Sequence, residues 1–391
     1  MDWVKYKLSD VVQFNPTERL AKGTIAKKVA MENLHPFTRA ISGYELAAYS
    51  GGSKFRNGDT LMARITPCLE NGKTAYVSIL DDEEVGFGST EYIVFRNIEG
   101  VTDSKFIYYF VSNPWFRNIA IKSMVGSSGR QRVQQSVLEN LEINLPPLAE
   151  QKRIAAILGA LDDKIELNHR INANLEEQAK ALFKEWFVDF EPFKDGNFVD
   201  SELGPIPVGW SVGPIYAYMD VIYGAPYKSS LFNTNKKGFP LIRIRDLKTY
   251  SPQFYTEELL SNTEYVECGD IVAGMDAEFM PYIWRGDKGL LNQRVCKFIP
   301  KYDYVSNFYI YLVIRPELEF VQSYKVGTTV SHLGKSDIDK IKVIIPSKGV
   351  TEKFSRIVDS YLSEIIKIAN ENRRLAALRD ALLSKLMNGE I

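Results

Sequence analysis

Residues 146–190 read PPLAEQKRIAAILGALDDKIELNHRINANLEEQAKALFKEWFVDF. Apolar side chains recur here in alternating steps of four and three residues, which is the heptad spacing of a coiled-coil helix. Because an α-helix rises about 1.5 Å per residue, roughly forty residues would extend about 60 Å, so we predict a spacer helix too long for one small domain. The seam, which two asparagines interrupt, consists of Ile154, Leu158, Leu161, Ile165, Asn168, Asn172, Leu175, Ala179, Leu182 and Trp186.

The same seam returns with an offset of 200 residues. The globular regions before the two seams also match, since NGDTL at 57–61 resembles CGDIV at 268–272, and VGSS at 125–128 resembles VGTT at 326–329. Solenoid repeats are far shorter than this period. The sequence therefore predicts a tandem duplication of a globular domain followed by a long helix. The second seam consists of Phe354, Val358, Tyr361, Ile365, Ile368, Asn372, Leu375, Arg379, Leu382 and Leu386.

Each globular half combines short β-rich runs, a helical pattern and glycine-aspartate turns, which together predict an α+β fold. Pro146 and Pro147 end the first half, because proline is tolerated only in the first turn of a helix. The predicted division is a first globular domain at 1–145, a spacer helix at 146–190, a linker with the second globular domain at 191–345, and a second spacer helix at 346–391.

The duplication also predicts how the two long helices pair. The first helix leads into the second domain, and that domain ends at the second helix, which must therefore return beside the first. We expect an antiparallel coiled coil, with an approximate two-fold axis relating the halves. Antiparallel pairing would bring Asn168, Asn172 and Asn372 together as a buried polar layer that favours one register. In the alternative, these asparagines face a partner or solvent.

Composition narrows the class of protein. The 391 residues are 45% hydrophobic and 25% charged, which is ordinary for a soluble globular chain. No apolar run approaches the length of a membrane span, and the N-terminus does not resemble a signal peptide, so a cytoplasmic protein is expected. Cys68, Cys268 and Cys296 form no C-x-x-C pair, which argues against a disulfide framework or a zinc site. They are expected to be buried apolar residues.

The net charge of −1 does not by itself indicate a nucleic-acid binder. Charge is uneven, however, since residues 225–250 hold several lysines and arginines against a single aspartate, Asp246. A local basic patch of this kind can bind DNA, and the alternative is a solvated basic face.

The clearest candidate for contact with DNA is the loop VGSSGRQRV at 125–133. Its glycines permit tight turns, its serines are short donors, and its arginines and glutamine are long donors that suit phosphates or the edges of guanine and adenine. The second copy keeps the turn but changes the side chains that follow it, which fits two readers of different sequences on one scaffold. An ordinary glycine-serine turn is the alternative. The candidates in the two loops are Ser127, Ser128, Arg130, Gln131 and Arg132, then Thr328, Thr329 and His332.

Further candidates are polar or aromatic residues in or beside turns, where recognition side chains are commonly displayed. The two tyrosines among them flank a Gly-Ala-Pro turn, and buried aromatic packing is the alternative for both. These candidates are Arg64 and Lys73 in the first domain, and Tyr223, Tyr227, Lys228, Arg243, Arg245, Arg285 and Arg294 in the second.

The motif LPPLAEQKRIAAIL at 145–158, the helix that runs into ALFKEWFVDFEPF at 181–193, and the duplicated architecture resemble the DNA-specificity subunit of type I restriction-modification enzymes. The resemblance implies that each globular domain reads one half of a bipartite, asymmetric site in double-stranded DNA, while the paired helices set the gap. It also implies partners: two methyltransferase subunits that use S-adenosylmethionine, and restriction subunits that use ATP and Mg²⁺. The second copy departs from the motif with IPSKGVTEKF at 345–354, so the two repeats need not contact their partners identically.

No motif points to catalysis by this chain. It lacks the N-P-P-[FY] or D-P-P-[FY] signature of amino-methyltransferases and the P-loop of many ATP-binding proteins, so no cofactor is expected on it. The adjacent Asp162 and Asp163 are expected to form a solvated helix face. Two competing interpretations remain: a coiled-coil scaffold that binds proteins without reading DNA, and the specificity subunit of a fused restriction-methyltransferase system. Self-association through the helices is also left open.

Overall fold

The computed structural model describes residues 3–127, 129–325 and 332–391. The chain divides into two units, Met1–Leu167 with Arg373–Ile391, and Asn168–Asn372. Each unit therefore contains one globular domain together with a part of each long helix.

The first globular domain is built from two four-stranded sheets, with strand orders β2-β9-β6-β7 and β4-β3-β8-β5, and a two-stranded pair, β1-β10. Only β3 and β8 pair in parallel among the described strands of this domain. The strands are β1 (Val4–Lys7), β2 (Val12–Phe14), β3 (Ile25–Val29), β4 (Glu45–Ala48), β5 (Lys54–Phe55), β6 (Thr60–Ala63), β7 (Thr74–Tyr76), β8 (Gly86–Gly88), β9 (Tyr92–Asn97) and β10 (Glu142–Leu145). The helices are α1 (Leu8–Val11), α2 (Ser104–Ser112), α3 (Pro114–Lys122), α4 (Gln135–Glu139) and α5 (Leu148–Phe187).

The second globular domain repeats this topology, with sheets ordered β14-β21-β18-β19 and β16-β15-β20-β17 and the pair β13-β22. The parallel pair recurs as β15 and β20. An additional pair, β11-β12, lies in the segment that precedes the domain. The strands are β11 (Phe198–Ser201), β12 (Gly204–Pro207), β13 (Ser211–Pro214), β14 (Met219–Tyr223), β15 (Phe239–Ile242), β16 (Tyr255–Thr256), β17 (Tyr265–Val266), β18 (Ile271–Gly274), β19 (Pro281–Ile283), β20 (Gly289–Leu291), β21 (Val295–Pro300) and β22 (Lys342–Ile345). The helices are α6 (Asn307–Lys325), α7 (Lys335–Ile338) and α8 (Lys348–Met387). The predicted duplicated α+β fold is confirmed.

The helical segment before the candidate loop differs between the copies at a proline. In the first domain Asn113 caps α3 by accepting a hydrogen bond from the Trp115 backbone N–H (2.8 Å), and Pro114 occupies the first turn, where its missing N–H costs nothing. In the second domain Arg315 replaces the capping asparagine, and α6 continues through Pro316. The first copy therefore reaches its loop by two short helices and the second by one longer helix.

The long helices α5 and α8 pack in antiparallel orientation within each unit. In the second unit, Phe187 near the end of α5 packs on Phe354 near the start of α8, with ring centroids 4.8 Å apart. Asn168, earlier in α5, donates from Nδ2 to Oδ1 of Asn372 (2.7 Å), late in α8. Asn172 is also buried. The predicted antiparallel pairing is confirmed, and Asn168 and Asn372 are in contact as predicted, with Asn168 buried and Asn372 half-buried.

A charged layer crosses the same helix pair in the first unit. Asp162 is buried and accepts hydrogen bonds from the Tyr109 hydroxyl (2.7 Å) and from Nη1 of Arg379 (2.7 Å). Asp163 accepts from Nη2 of Arg39 (2.5 Å). The expectation of a solvated face was wrong for Asp162, because the globular domain and α8 both supply partners for it, whereas Asp163 is exposed as expected.

Gln151 explains part of the LPPLAEQKRI motif. It is fully buried, and its Nε2 donates to the carbonyls of Val101 (3.1 Å) and Pro146 (2.9 Å). Its Oε1 accepts from the backbone N–H of Asp103 (3.0 Å), the residue that caps α2. The glutamine thus attaches the first turn of α5 to the globular domain.

The second copy makes this attachment with different residues. Thr351 stands where the first copy has Gln151, and Ser355, one turn later, accepts from the backbone N–H of Ser306 through its Oγ (3.2 Å). The departure from the motif therefore preserves a polar tie between helix and domain.

No helix in the described ranges is long and apolar enough to cross a membrane. Cys296 is buried, as expected, whereas Cys68 and Cys268 are half-buried. Burial raises the pKa of the Cys296 thiol to about 12, so this sulfur stays protonated.

Candidate nucleic-acid interface

The loop at 125–133 is fixed to the first domain by its backbone. Arg132 and Val125 exchange two backbone hydrogen bonds of 3.0 and 2.9 Å, and Arg132 also bridges Ile65 on its other side. The next residue, Val133, donates its N–H to the carbonyl of Arg64 (2.9 Å). Because both flanks of Arg132 are held, the direction of its side chain is set by the sheet rather than by a free loop.

Glycines shape the tip of this loop. Gly126 has a φ of +130°, and a Cβ at that position would lie 2.9 Å from the carbonyl oxygen of Arg130. Gly129 has a φ of +80°, in the region that favours glycine. The resulting turn leaves Ser127 and Arg130 exposed and Gln131 half-buried. Ser128, another candidate, lies outside the described residues.

Arg132 forms an ion pair with Glu91, which directly precedes β9. Nε of the arginine donates to both carboxylate oxygens at 2.9 Å, and Nη2 donates to Oε1 at 2.6 Å. The side chains are 45% and 23% exposed, so the pair lies at the surface with its carboxylate half-buried. The hydrogen bond from Arg132 holds the pKa of Glu91 below its usual range. The carboxylate therefore stays ionised near neutral pH.

Glu91 was absent from the sequence predictions. It lies 41 residues before Arg132, in a segment that reads only as a strand. Nothing local signals the pairing, which arises because the start of β9 and the loop lie side by side.

Two other candidates in this domain make internal contacts. Lys73 donates from Nζ to the carbonyl of Met31 (2.8 Å). Arg64 is half-buried behind the loop and donates from Nη2 to the carbonyl of Val133 (3.3 Å). Neither side chain is directed freely to solvent, and their contact with DNA stays a prediction.

The second domain repeats the backbone scaffold around its own loop. In the first domain Arg64 donates its N–H to the carbonyl of Glu91 (2.9 Å) and accepts from Val133. In the second, Met275 donates its N–H to the carbonyl of Arg294 (2.9 Å) and accepts from the N–H of Leu333 (2.7 Å).

These hydrogen bonds define structurally equivalent positions. His332 corresponds to Arg132, because each directly precedes the residue whose N–H donates to the carbonyl of Met275 or Arg64. Arg294 corresponds to Glu91, because the carbonyl of each accepts the N–H of that same Met275 or Arg64. The bridge between Asp276 and His332 likewise matches the bridge between Ile65 and Arg132.

The side chains on this second scaffold carry a different charge pattern. Asp276 is bound through Oδ1 to Nδ1 of His332 (2.6 Å) and through Oδ2 to Nε of Arg294 (3.3 Å). Lys325, at the end of α6, donates to the His332 carbonyl (2.8 Å) and pairs with Asp337 (2.5 Å). The acidic residue of this site, Asp276, therefore follows β18, whereas Glu91 in the first domain directly precedes β9. Thr328 and Thr329 lie outside the described residues.

The tyrosine candidates of the second domain are largely withdrawn from solvent. Tyr227 is buried, and its hydroxyl lies 3.2 Å from Oγ1 of Thr263. Tyr223 is half-buried, and its hydroxyl has no hydrogen-bond partner among the described residues. Both rings pack against the interior of the domain, and their contact with DNA stays a prediction.

The remaining basic candidates fall into two groups. Arg243 pairs with Asp246 (3.1 Å) and lies over the ring of Phe254, 4.4 Å from its centroid. Arg285 pairs with Glu176 on α5 and is mostly buried, so it ties the domain to the helix. Lys228 and Arg245 are exposed, as is Arg294 beside Asp276.

An exposed aromatic pair adjoins the second loop and was also missed. Phe320 and Tyr324 are 67% and 57% exposed, and their ring centroids lie 5.5 Å apart on the last turns of α6. Their spacing of four residues is a helical signal, but sequence alone does not distinguish an exposed stripe from a buried one.

Comparison with known proteins identifies the family. A family model for the type I restriction modification DNA specificity domain matches residues 1–177 and again residues 209–377. The type I restriction enzyme MjaIX specificity subunit of Methanocaldococcus jannaschii is 31% identical over 329 residues, covering 76% of this chain and 72% of that protein. The HindI specificity subunit of Haemophilus influenzae is 24% identical over 463 residues and is matched along the full length of both chains.

Among solved structures, the S subunit of a type I restriction-modification system from M. genitalium is 16% identical, covers 98% of this chain and 96% of that chain, and has a TM-score of 0.48. The two matches to the family model take in most of the chain, one in each half. The chain therefore belongs to the family of type I restriction-modification DNA specificity subunits.

Proposed function

We propose that this chain is the sequence-reading subunit of a type I restriction-modification complex, and that each globular domain reads one half of a bipartite site in double-stranded DNA. One observation carries the proposal: the same backbone scaffold presents Arg132 with Glu91 in the first domain, and His332 with Asp276 and Arg294 in the second. Two readers of one fold with different side chains suit an asymmetric target.

The charge of these surfaces favours base reading over general attraction to phosphates. A protein that neutralises many phosphates usually has a basic excess, whereas this chain has a net charge of −1. Moreover, a carboxylate accompanies the arginine or histidine on each scaffold. An isolated carboxylate would repel phosphate, but beside a base edge it can orient an arginine or accept from cytosine. Much of the non-specific affinity for DNA then has to come from partner subunits.

The partners are proposed from the family. Two methyltransferase subunits would dock on the long helices, carrying S-adenosylmethionine, and restriction subunits would add ATP and Mg²⁺. Exposed apolar residues on both helices of the first unit support a docking face, since Leu167 is 43% and Leu378 is 49% exposed. The chain itself would bind no cofactor and catalyse no step. Because the chain would bind DNA together with these partner subunits, we propose that it is located in the cytoplasm.

The helices would also set the gap between the half sites. Each helix is 40 residues long, and two polar contacts between the helices, Asp162 with Arg379 and Asn168 with Asn372, favour one register. A register shift would move a globular domain along the helix pair. Fixed register therefore suits a subunit that has to measure a constant number of unread base pairs.

Methylation mapping tests the proposal. The chain is expressed with the methyltransferase subunit encoded beside it, in a host free of DNA methylation, and genomic DNA is read by long-read sequencing. We expect methyl-adenine at one bipartite motif, and none when this chain is omitted. A soluble complex with active methyltransferase but without any motif would instead support the coiled-coil scaffold.

A further inference from the structure

The second proposal deepens the first and rests on it. We propose that Arg132 reads a guanine in the half site of the first domain, and that Glu91 is the positioning residue that aims it. Arg130, two residues earlier, would contact a phosphate.

The hydrogen bonds of Arg132 leave one edge of its guanidinium open. Arginine has five N–H donors in a planar fork. Glu91 accepts hydrogen bonds from Nε and from one N–H of Nη2, and these two donors form the side edge of the guanidinium. Within the described ranges Nη1 has no hydrogen-bond acceptor, so the end edge, formed by Nη1 and the outer N–H of Nη2, remains available. Two parallel donors on one edge match the O6 and N7 acceptors of guanine in the major groove.

Both members of the pair are held before DNA arrives. The backbone of Arg132 is bonded to Val125, and its neighbour Gln131 accepts from the N–H of Thr66 (3.0 Å). Glu91 is held as well, since its carbonyl accepts from Arg64 and its N–H donates to the Ser89 hydroxyl. A long side chain fixed in this way loses less conformational freedom on binding than a free one. The arrangement is that of a preorganised reader.

Arg130, two residues before Arg132, has a different electrostatic environment. Arg130 is exposed at the tip of the turn, next to Gly129, and no carboxylate is bonded to it in the part of the chain that the structure describes. Its charge is therefore uncompensated and suits a phosphate. The charge of Arg132 is balanced by Glu91, which makes it a weaker ligand for phosphate but leaves its directed donors for a base edge.

The test uses the complete complex with its methyltransferase subunit and compares four variants. Arg132→Ala removes the reader, Glu91→Gln removes the charge of the positioning residue, and Arg130→Ala removes the proposed phosphate contact. Arg56→Ala is the matched control, because Arg56 is 42% exposed and paired with Glu18 at 2.7 Å in the same domain. Methylation motifs are mapped for each, and DNA binding is measured against salt concentration.

We expect the wild-type motif to contain a G·C pair at which Arg132→Ala loses most of its selectivity. The fall at that position should be roughly tenfold to a hundredfold. Glu91→Gln should lower selectivity at the same base pair by less. Arg130→Ala should weaken binding to all sequences alike and reduce the salt slope by about one. Arg56→Ala should change neither quantity.

Other outcomes separate the two proposals. If the wild-type complex yields no bipartite motif, the proposed function fails. If a motif is present but Arg132→Ala leaves every position unchanged in a soluble complex, only the guanine assignment fails. If Arg132→Ala behaves like Arg130→Ala, weakening all sequences equally, Arg132 is a phosphate ligand and the assignment is again overturned. If Glu91→Gln leaves selectivity at the wild-type level, Glu91 is not a positioning residue.

Discussion

The two globular domains hold the same backbone hydrogen bonds around their loops but arrange charge differently on them. In the first domain the carboxylate of Glu91 pairs with the guanidinium of Arg132. In the second domain the carboxylate of Asp276 contacts both His332 and Arg294. Duplication thus kept the groups that position the loop and changed those that face outward. The helices show a similar contrast, with the Asp162–Arg379 ion pair in the first unit and, in the second, Asn168 donating to Asn372 and to the Glu371 carboxylate. The comparison separates side chains that maintain the fold from side chains that distinguish the two readers.

The largest effect is expected from the charged helix layer. Arg379→Met keeps the length of the side chain but leaves the buried Asp162 carboxylate with the Tyr109 hydroxyl as its one remaining hydrogen-bond partner among the described residues. Leaving a buried charge without its ionic partner costs about 3 kcal/mol of unfolding free energy. Chemical denaturation of the purified chain measures this change.

The asparagine layer supplies the contrasting variant. Oδ1 of Asn172 is buried without a hydrogen-bond partner among the described residues. Asn172→Leu should therefore stabilise the chain by about 1 kcal/mol, because it removes an unsatisfied polar atom. If Arg379→Met were as harmless as Asn172→Leu, the two layers would not differ in the way the contacts indicate.

The second effect concerns the polar tie between helix and domain. Gln151→Ala removes three hydrogen bonds that the buried glutamine makes to backbone groups, so we expect a loss of about 2 kcal/mol in unfolding free energy. Ser355→Ala removes one hydrogen bond, that from Ser306, and should cost about 1 kcal/mol. Denaturant midpoints of the two variants test the ratio. Equal losses would show that the Ser306–Ser355 hydrogen bond matters as much to the second copy as the three hydrogen bonds of Gln151 matter to the first.

The third effect distinguishes the two readers. The Nδ1 atom of His332 faces Asp276, which leaves only Nε2 for a base, whereas Arg132 retains two parallel donors. His332→Ala should therefore cost about 1 kcal/mol of discrimination, at the lower end of the range for a base contact. Methylation mapping should show the relaxation in one half of the motif, opposite to the half that Arg132→Ala relaxes. Relaxation of the same half by both variants would contradict separate reading by the two domains.

Sequence alone predicted the duplication, the α+β class and the antiparallel helices, because each leaves a long regular pattern such as the seam that includes Asn168 and Asn372. It also predicted that the loop that holds Arg132 contacts DNA, and that contact stays a prediction. It could not find Glu91 or Asp276, since a carboxylate in a strand end has no local signature and its partner lies far along the chain. The same reason explains the error at Asp162, whose partners come from two other elements.

The smallest effect is the pH dependence of the Glu91–Arg132 pair. The hydrogen bond from Arg132 lowers the pKa of Glu91 from its usual value of 4.5, so the folded chain binds a proton there less readily than the unfolded chain. The stability that the pair contributes is therefore fully present above about pH 5.5 and is lost as the pH falls through the lowered pKa. For a partly exposed pair this contribution is about 0.5 kcal/mol. Glu91→Gln should lower the unfolding free energy by that amount at pH 7, and the difference from wild type should shrink as the pH is lowered below 4.5. A difference that grew toward acid would reverse the sign of the linkage, and would mean that Glu91 is held protonated by its surroundings rather than ionised by Arg132.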